Sequence, residues 1–406
     1  MSEPLIIIGN GMAATRLVEE LTTLAPGRYA IAVIGDEPSL AYNRVLLSSV
    51  LAREVAPNDI ELKPAAWWQD RGVTLVYGRR AVEIDTRARF VRLRGGVKLG
   101  YGKLVIATGS EAVRLSLPGA DLPGVVTFRD KADVGTLLSR ARPGSRAVVI
   151  GGGLLGLEAA YGLMKAGAEV SVVHLMDRLM ERQLDPRAAD LLKAALEARG
   201  IQVLLNGESE AIQGRRKVAG LRLKDGRNVP ADLVVMAVGI KPNVRLARSA
   251  RLEVNRGIVV GDDLSTSTPD IYAIGECAEH RGVCYGLVEP AYEQARVLAR
   301  NLAGQAACYS GSLLATNLKV SGVNVFSAGD FIGDTDTEPV VLTDPGRQTY
   351  RKLVIRDGLL VGAVLVGDTS DALWYLDLIR SGRPVSALRD SLVFGRAFAE
   401  SEAQAA

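Results

Sequence analysis

The chain has 406 residues, 48% hydrophobic and 23% charged, which excludes a disordered protein and gives room for two or three domains, each with its own core. Lys and Arg number 49 against 46 Asp and Glu, and a net charge of +3 makes no case for a nucleic-acid or anionic-membrane binder. Three cysteines without a CxxC spacing are too few ligands for an iron–sulfur cluster, and two histidines besides do not complete a zinc-site pattern, so no metal is expected.

The first element is "PLIIIGNGMAATRLVEEL", an apolar strand, a glycine turn and an amphipathic helix. Gly9 and Gly11 keep the turn free of side chains, and Ala13 and Ala14 open the helix, Ala14 standing where the fingerprint's last glycine would be. Such a helix N-terminus presents its N–H groups to a dinucleotide pyrophosphate. The second strand, "AIAVIGDEP", ends in Asp36 and Glu37; Glu37, with Asp36 as the fallback, is expected to hold the adenosine ribose hydroxyls. "YNRVLLSS" follows at 42 to 49. "LVIATGS" then reads as a strand running into a glycine turn at Ala107, Thr108 and Gly109.

After a Pro- and Gly-rich crossing, "LPGADLPG", the opening pattern repeats as "RAVVIGGGLLGLEAAYGL". Gly151, Gly153 and Gly156 are its fingerprint glycines, with Leu154 and Leu155 at the helix start. Its second strand, "EVSVVHLMDR", ends in His174 rather than a carboxylate. A neutral imidazole neither grips a ribose hydroxyl firmly nor repels a 2′-phosphate, and Arg178 one turn later is placed to reach such a phosphate. The choice between NADH and NADPH therefore stays open, as does a simple solvated histidine. "MERQLD" reads as a charged surface turn and helix start, and the "WW" at 67 and 68 as core packing. "LVVMAVGIKPN" gives a further strand with its turn at Gly239. "TSTPDIYAIGECAEH" gives another, with Gly275 and Glu276 and a helix expected to run on through "YEQARVLARNLAG". From about residue 313 short strands and one helix follow, and the terminal "AESEAQAA" is expected to fray.

With these five landmarks in order over residues 4 to about 310, the chain resembles the FAD- and pyridine-nucleotide-dependent oxidoreductases of the glutathione reductase structural class. Within that class "AYNRVLLSSVL", "VVHLMDRLMERQLD" and "YAIGECAEH" look most like the flavin domain of assimilatory NADH-dependent nitrite reductases, with ferredoxin and rubredoxin reductases next. The resemblance implies an α/β protein with two Rossmann-like domains and a smaller α+β C-terminal domain. It places the FAD domain at 1–112 and 245–312, the NAD(P) domain at 113–244 and a cap at 313–406, with a homodimer left open.

The same resemblance implies FAD on the first fingerprint and NADH or NADPH on the second. Arg44 would lie beside the FAD diphosphate, and Glu276, where most relatives have Asp, would serve the ribitol chain. Glu158 would approach the nicotinamide. The lysine that pairs with that glutamate in ferredoxin reductases is matched here by Ser49, leaving Lys319 as the candidate cation.

Thiol chemistry would need a cysteine within "YNRVLLSS", which has none. The leading expectation is thus electron flow from NAD(P)H through FAD to a separate acceptor protein carrying an iron–sulfur, haem or molybdenum centre. A peroxide-forming oxidase and a nicotinamide-responsive signalling protein are the alternatives. No secretory leader or bilayer-length apolar run is read, so a cytoplasmic location is expected.

Overall fold

Parallel strands buried on both faces need near-continuous apolar runs, and both nucleotide-binding sheets are built on such runs. The computed structural model describes residues 2–320 and 322–405, with 317–320 and 402–405 described by backbone alone. The chain divides into two compact units, 1–47 with 55–112 and 240–312, and 48–54 with 113–239 and 313–406.

Strand β1 (Glu3–Ile8) leads through the Gly9–Gly11 turn into helix α1 (Met12–Leu24), and β2 (Tyr29–Ile34) returns beside β1. The buried stripe of α1, Ala14, Leu17, Val18 and Leu21, recurs at helical spacing and covers one face of the sheet. β3 (Thr74–Val76) and β4 (Lys103–Ile106) extend the sheet on either side. Trp68 is buried in this core with its ring edge-on to Trp67, as the core reading of "WW" expects.

The second unit repeats the plan with β5 (Val125–Thr127), β6 (Arg146–Ile150), α2 (Leu154–Lys165), β7 (Glu169–Val173), α3 (Pro186–Glu197), β8 (Gln202–Leu204) and β9 (Leu233–Met236). Its parallel sheet runs β8-β7-β6-β9-β5. The first sheet has the matching order β3-β2-β1-β4-β10 once β10 (Ile271–Ala273) is added. The edge strand thus precedes the fingerprint in one sheet and comes from far beyond it in the other.

Two expectations change here. No helix follows Glu276 directly: a 3₁₀ turn at Gly275–Cys277 and a short strand at Ala278–His280 intervene before helix α4 (Val288–Leu302). Gln294 of α4 reaches back and accepts the Gly275 N–H at 2.7 Å, which explains the pause, since that turn is pinned by a side chain rather than by helical bonds.

The C-terminal segment forms an antiparallel sheet from β11 (Ala315–Val320), β12 (Val323–Gly329), β13 (Glu338–Asp344), β14 (Thr349–Arg356) and β15 (Leu359–Val366), in the order β11-β12-β15-β14-β13. Asp357 and Gly358 join β14 to β15 with φ of 51° and 73°, the left-handed pair that a two-residue hairpin turn requires. Helix α5 (Ala372–Ser381) packs on this sheet.

The second change is at the terminus. Where fraying was expected, helix α6 (Arg396–Ala405) forms, its start held by the Arg396 N–H on Asp371 at 3.1 Å and an Arg396–Glu400 pair one turn apart.

Asp185 ties α3 to the C-terminal sheet within the second unit. It accepts the Ala188 N–H as the N-cap of α3 and the Tyr350 hydroxyl at 2.6 Å, and is almost fully buried. Asp185→Ala removes a cap and strands the buried phenol, so a loss of about 2–4 kcal/mol is expected by urea unfolding, with Tyr350→Phe costing markedly less.

Candidate functional site

The two glycine turns are built alike. Gly9 and Gly151 have φ of 121° and 119°, and a Cβ on either would lie 2.0 Å from the Ala107 carbonyl oxygen and 2.3 Å from that of Ala237. The turn can therefore pass over the end of the neighbouring strand only as glycine. Gly156 packs equally closely on the Gly151 carbonyl, which brings α2 onto the sheet, whereas the buried Ala14 shows that α1 leaves room for a methyl.

Gly11 and Gly153 are different: a Cβ there would meet nothing within 4 Å. Each stands at the N-cap of its helix with open space before it, the cradle a diphosphate would fill. Ala13, Leu154 and Leu155 lie in the first turns of these helices.

In the first unit the other expected residues gather around the same turn. Thr108 donates its hydroxyl to the Asn243 carbonyl at 2.7 Å and Gly109 accepts the Asn243 N–H, fixing the end of β4. Ser110 donates to Glu276 Oε2 at 2.8 Å, so the longer glutamate is anchored from one side. Glu37 is already engaged: it accepts the Tyr42 hydroxyl at 2.6 Å and pairs with Arg44. Burial works against the Arg44 charge, yet Tyr42, Glu37 and Glu276 hold its pKa above the ordinary value. Asp36, more exposed, pairs with Arg80. Asn10, between the two turn glycines, has a buried Oδ1 with no hydrogen-bond partner among the described residues, an acceptor left over where the fold places the adenosine half of a dinucleotide.

In the second unit Gly151, Gly153 and Gly156 form the turn, His174 packs on it, Glu158 follows in the second turn of α2, and Gly239 follows β9 with a φ of 111°. His174 is not solvated. It is buried, and its Nδ1 accepts the N–H of Gly152 at 3.0 Å while Nε2 faces Glu181 at 3.1 Å. Gly152 was not singled out from the sequence, yet a Cβ there would stand 2.7 Å from the His174 ring and 2.6 Å from Leu179. Three consecutive glycines were the available signal. "MERQLD" gives the expected helix start, with Asp185 as the N-cap of α3, but it is not simply a surface turn: Met180 and Leu184 are fully buried and Met180 N–H donates to the Gly152 carbonyl. Arg178 pairs with its neighbour Asp177 at 3.0 Å.

Glu158 lies one turn before Gly162 on α2, and Gly162 is the seat of Leu51 from the short helix Leu47–Leu51. Burial pushes the Glu158 carboxyl up to about 8, with no opposing cation recorded among the described residues. Lys319 belongs to β11, opposite Asn324, and its side chain lies outside the described residues.

Residues 3–297 match the pyridine nucleotide-disulphide oxidoreductase family, and residues 315–383 the rubredoxin NAD+ reductase C-terminal domain. The chain belongs to the pyridine nucleotide-disulphide oxidoreductase family. It is 45% identical over 94% of its length to a nitrite reductase [NAD(P)H] of Bacillus subtilis, covering 48% of that protein. It is 43% identical over 96% to the assimilatory nitrate reductase electron transfer subunit of the same organism, covering 51% of it. The chain thus spans about half the length of these relatives. Among solved structures, a ferredoxin reductase from Rhodopseudomonas palustris superposes with a TM-score of 0.84 at 29% identity, covering 94% of this chain and 100% of that one. Membership bears out the expected two-nucleotide α/β oxidoreductase that uses FAD and NAD(P)H.

Two outcomes follow from the geometry. Gly9→Ala forces a collision with backbone and should lower Tm by several degrees, whereas Gly11→Ala should fold normally and lose flavin, read as the ratio of visible to protein absorbance. Glu158 keeps its proton in the fold up to about 8 but sheds it near the ordinary carboxylate value when unfolded. Its contribution is therefore complete in acid and lost as pH rises from that ordinary value through about 8. Urea midpoints at the two ends of this window should differ less in Glu158→Gln than in the parent, both measured without nucleotides.

Proposed function

We propose that the protein is an NAD(P)H-oxidising flavoprotein that passes electrons to a separate redox protein, of the kind an iron–sulfur, haem or molybdenum reductase presents, in nitrate or nitrite assimilation. The observation that carries the second half of this reading is the segment Arg44–Leu51, which contains no thiol. The three cysteines lie elsewhere and are free. Cys277 is fully buried, with its thiol donating to the Ile274 and Ile106 carbonyls, and burial raises its pKa; Cys284 is pushed up to about 11 by burial and by Glu279. Neither has the thiolate character that disulfide or sulfenate chemistry needs at neutral pH. The names of the relatives, a nitrite reductase and a nitrate reductase electron transfer subunit, support the choice of pathway.

In this reading Gly9, Gly11, Ala13 and Ala14 let the FAD diphosphate approach the start of α1, with Ala107, Thr108 and Gly109 forming the adjoining turn. Arg44 offsets the diphosphate charge, Glu37 or Asp36 takes the adenosine ribose, and Gly275 with Glu276 takes the ribitol hydroxyls. Gly151, Gly153, Leu154, Leu155, Gly156 and Gly239 form the corresponding cradle for NAD(P)H. A bound FAD would supply the hydride acceptor for the nicotinamide and a source of single electrons for the carrier. Glu158, protonated at neutral pH before ligands bind, can donate a hydrogen bond without placing a charge beside the transferring hydride, and Lys319 is the cation that would change this. Among the described residues no helix is long and apolar enough to cross a membrane, which fits a cytoplasmic site of action.

Anaerobic stopped-flow mixing with NADH and NADPH should bleach the flavin rapidly, and reoxidation should be fast with a ferredoxin, a rubredoxin or a nitrate or nitrite reductase and slow with oxygen. Fast reoxidation by oxygen with no acceleration by any carrier would overturn the proposal in favour of a peroxide-forming oxidase.

A further inference from the structure

We propose that Glu181, held through His174, is the carboxylate that makes the second site select NADH over NADPH. The inference rests on reading the second fingerprint as the NAD(P)H site and adds to it the coenzyme.

The strand-end position after β7 is where this fold places the ribose of the adenosine half, and its usual carboxylate is replaced by His174. An imidazole alone would leave the choice open, but the contacts fix more than the ring. The Gly152 N–H can donate only to an unprotonated Nδ1, so His174 carries its single proton on Nε2 and is neutral. That proton is then directed at Glu181 Oε2, which acts as acceptor. The pair as a whole retains the carboxylate's negative charge, displaced from the strand end by the length of one ring.

The loop that brings Glu181 there is built rather than loose. Gly152 uses both its backbone groups on it, the N–H on His174 and the carbonyl on Met180, while Leu179, Met180 and Leu184 are fully buried. The first nucleotide turn solves the same steric problem in reverse: there the strand-end residue is Gly35 and the middle residue of the turn is Asn10, whose Cβ would lie 2.7 Å from a Cβ on Gly35. One of the two facing positions must be glycine, and in the second turn it is the turn residue, which frees the strand end to carry an imidazole.

Two cations lie nearby, and the titration below weighs them against this charge. Arg178 pairs through Nη1 with the exposed Asp177 at 3.0 Å, and its buried Nε has no hydrogen-bond partner among the described residues. Arg182 lies 3.9 Å from Glu181 Oε1 with its side chain 86% exposed, a pair weakened by solvent. A 2′-hydroxyl can donate to the Glu181 carboxylate, whereas a 2′-phosphate would meet like charge.

The test is calorimetric titration of the oxidised FAD-loaded protein with NAD+ and with NADP+, which reads affinity without turnover. The parent should bind NAD+ at least about tenfold tighter. Glu181→Gln keeps an acceptor for His174 but removes the charge, and should bring the two affinities within about threefold, chiefly by strengthening NADP+. Adding His174→Glu to Glu181→Gln restores a carboxylate at the strand end, with the Gly152 N–H as its donor, and should recover the preference for NAD+. Equal affinities or a preference for NADP+ in the parent, an unchanged ratio in Glu181→Gln, or a double variant that stays indiscriminate would each overturn the inference. Failure of the parent to bind either dinucleotide would instead overturn the assignment of the second fingerprint, and this inference with it.

Discussion

The close passage of a glycine turn over the end of the next strand is the constraint on which both units depend. Gly9 crosses the Ala107 carbonyl and Gly151 the Ala237 carbonyl, each too near for any Cβ. The same turns are tied on both sides by backbone bonds, Gly9 N–H to Ile34 and Ala107 N–H to Ile8, then Gly151 N–H to Val173 and Ala237 N–H to Ile150. Sheet order, helix entry and the empty space before Gly11 and Gly153 follow from that single approach. A helix N-terminus with unspent N–H groups and no side chain in the way is what an anionic dinucleotide needs.

Around this shared frame the two units distribute charge differently. In the first, Glu37, Tyr42, Arg44 and Glu276 form a connected polar set in which a partly buried guanidinium is balanced by carboxylates on two segments. In the second, a neutral imidazole stands between backbone and carboxylate, and Glu158 is perturbed by burial, with no partner recorded among the described residues. The first arrangement keeps a guanidinium paired with carboxylates; the second keeps a carboxylate tied to the glycine turn through a ring.

The fold was legible because its determinants are local and extreme. Glycines with a required positive φ, apolar strands and the spacing of α1 and α2 appear directly in the residue string. Asp185 was legible as part of a helix start, but its bond to Tyr350 and the contact of Glu181 with His174 were not, because "MERQLD" is charged and reads as surface until Met180 and Leu184 are seen to be buried beneath it. Gly152 was missed because the fingerprint leaves its middle position unspecified, and only the ring of His174 on the opposite strand end makes it matter. The helix after Glu276 was placed too early because amphipathic spacing identifies α4 but says nothing of Gln294 reaching back to Gly275. The terminal helix escaped because its start is set by Asp371, from a distant part of the chain.

The two sheets share a strand order but draw their edge strand from opposite directions along the chain, and this bears on how the molecule is made. All five strands of the second sheet lie between residues 125 and 236, so on a ribosome it has every piece it needs before β10 of the first sheet has been synthesised. The turn around Gly9, although it emerges first, must wait for β10, Gly275 and Glu276 before its site is whole. The first sheet is therefore the later of the two to close during synthesis, and nascent chains halted between the two milestones would hold a finished second sheet and an open first one.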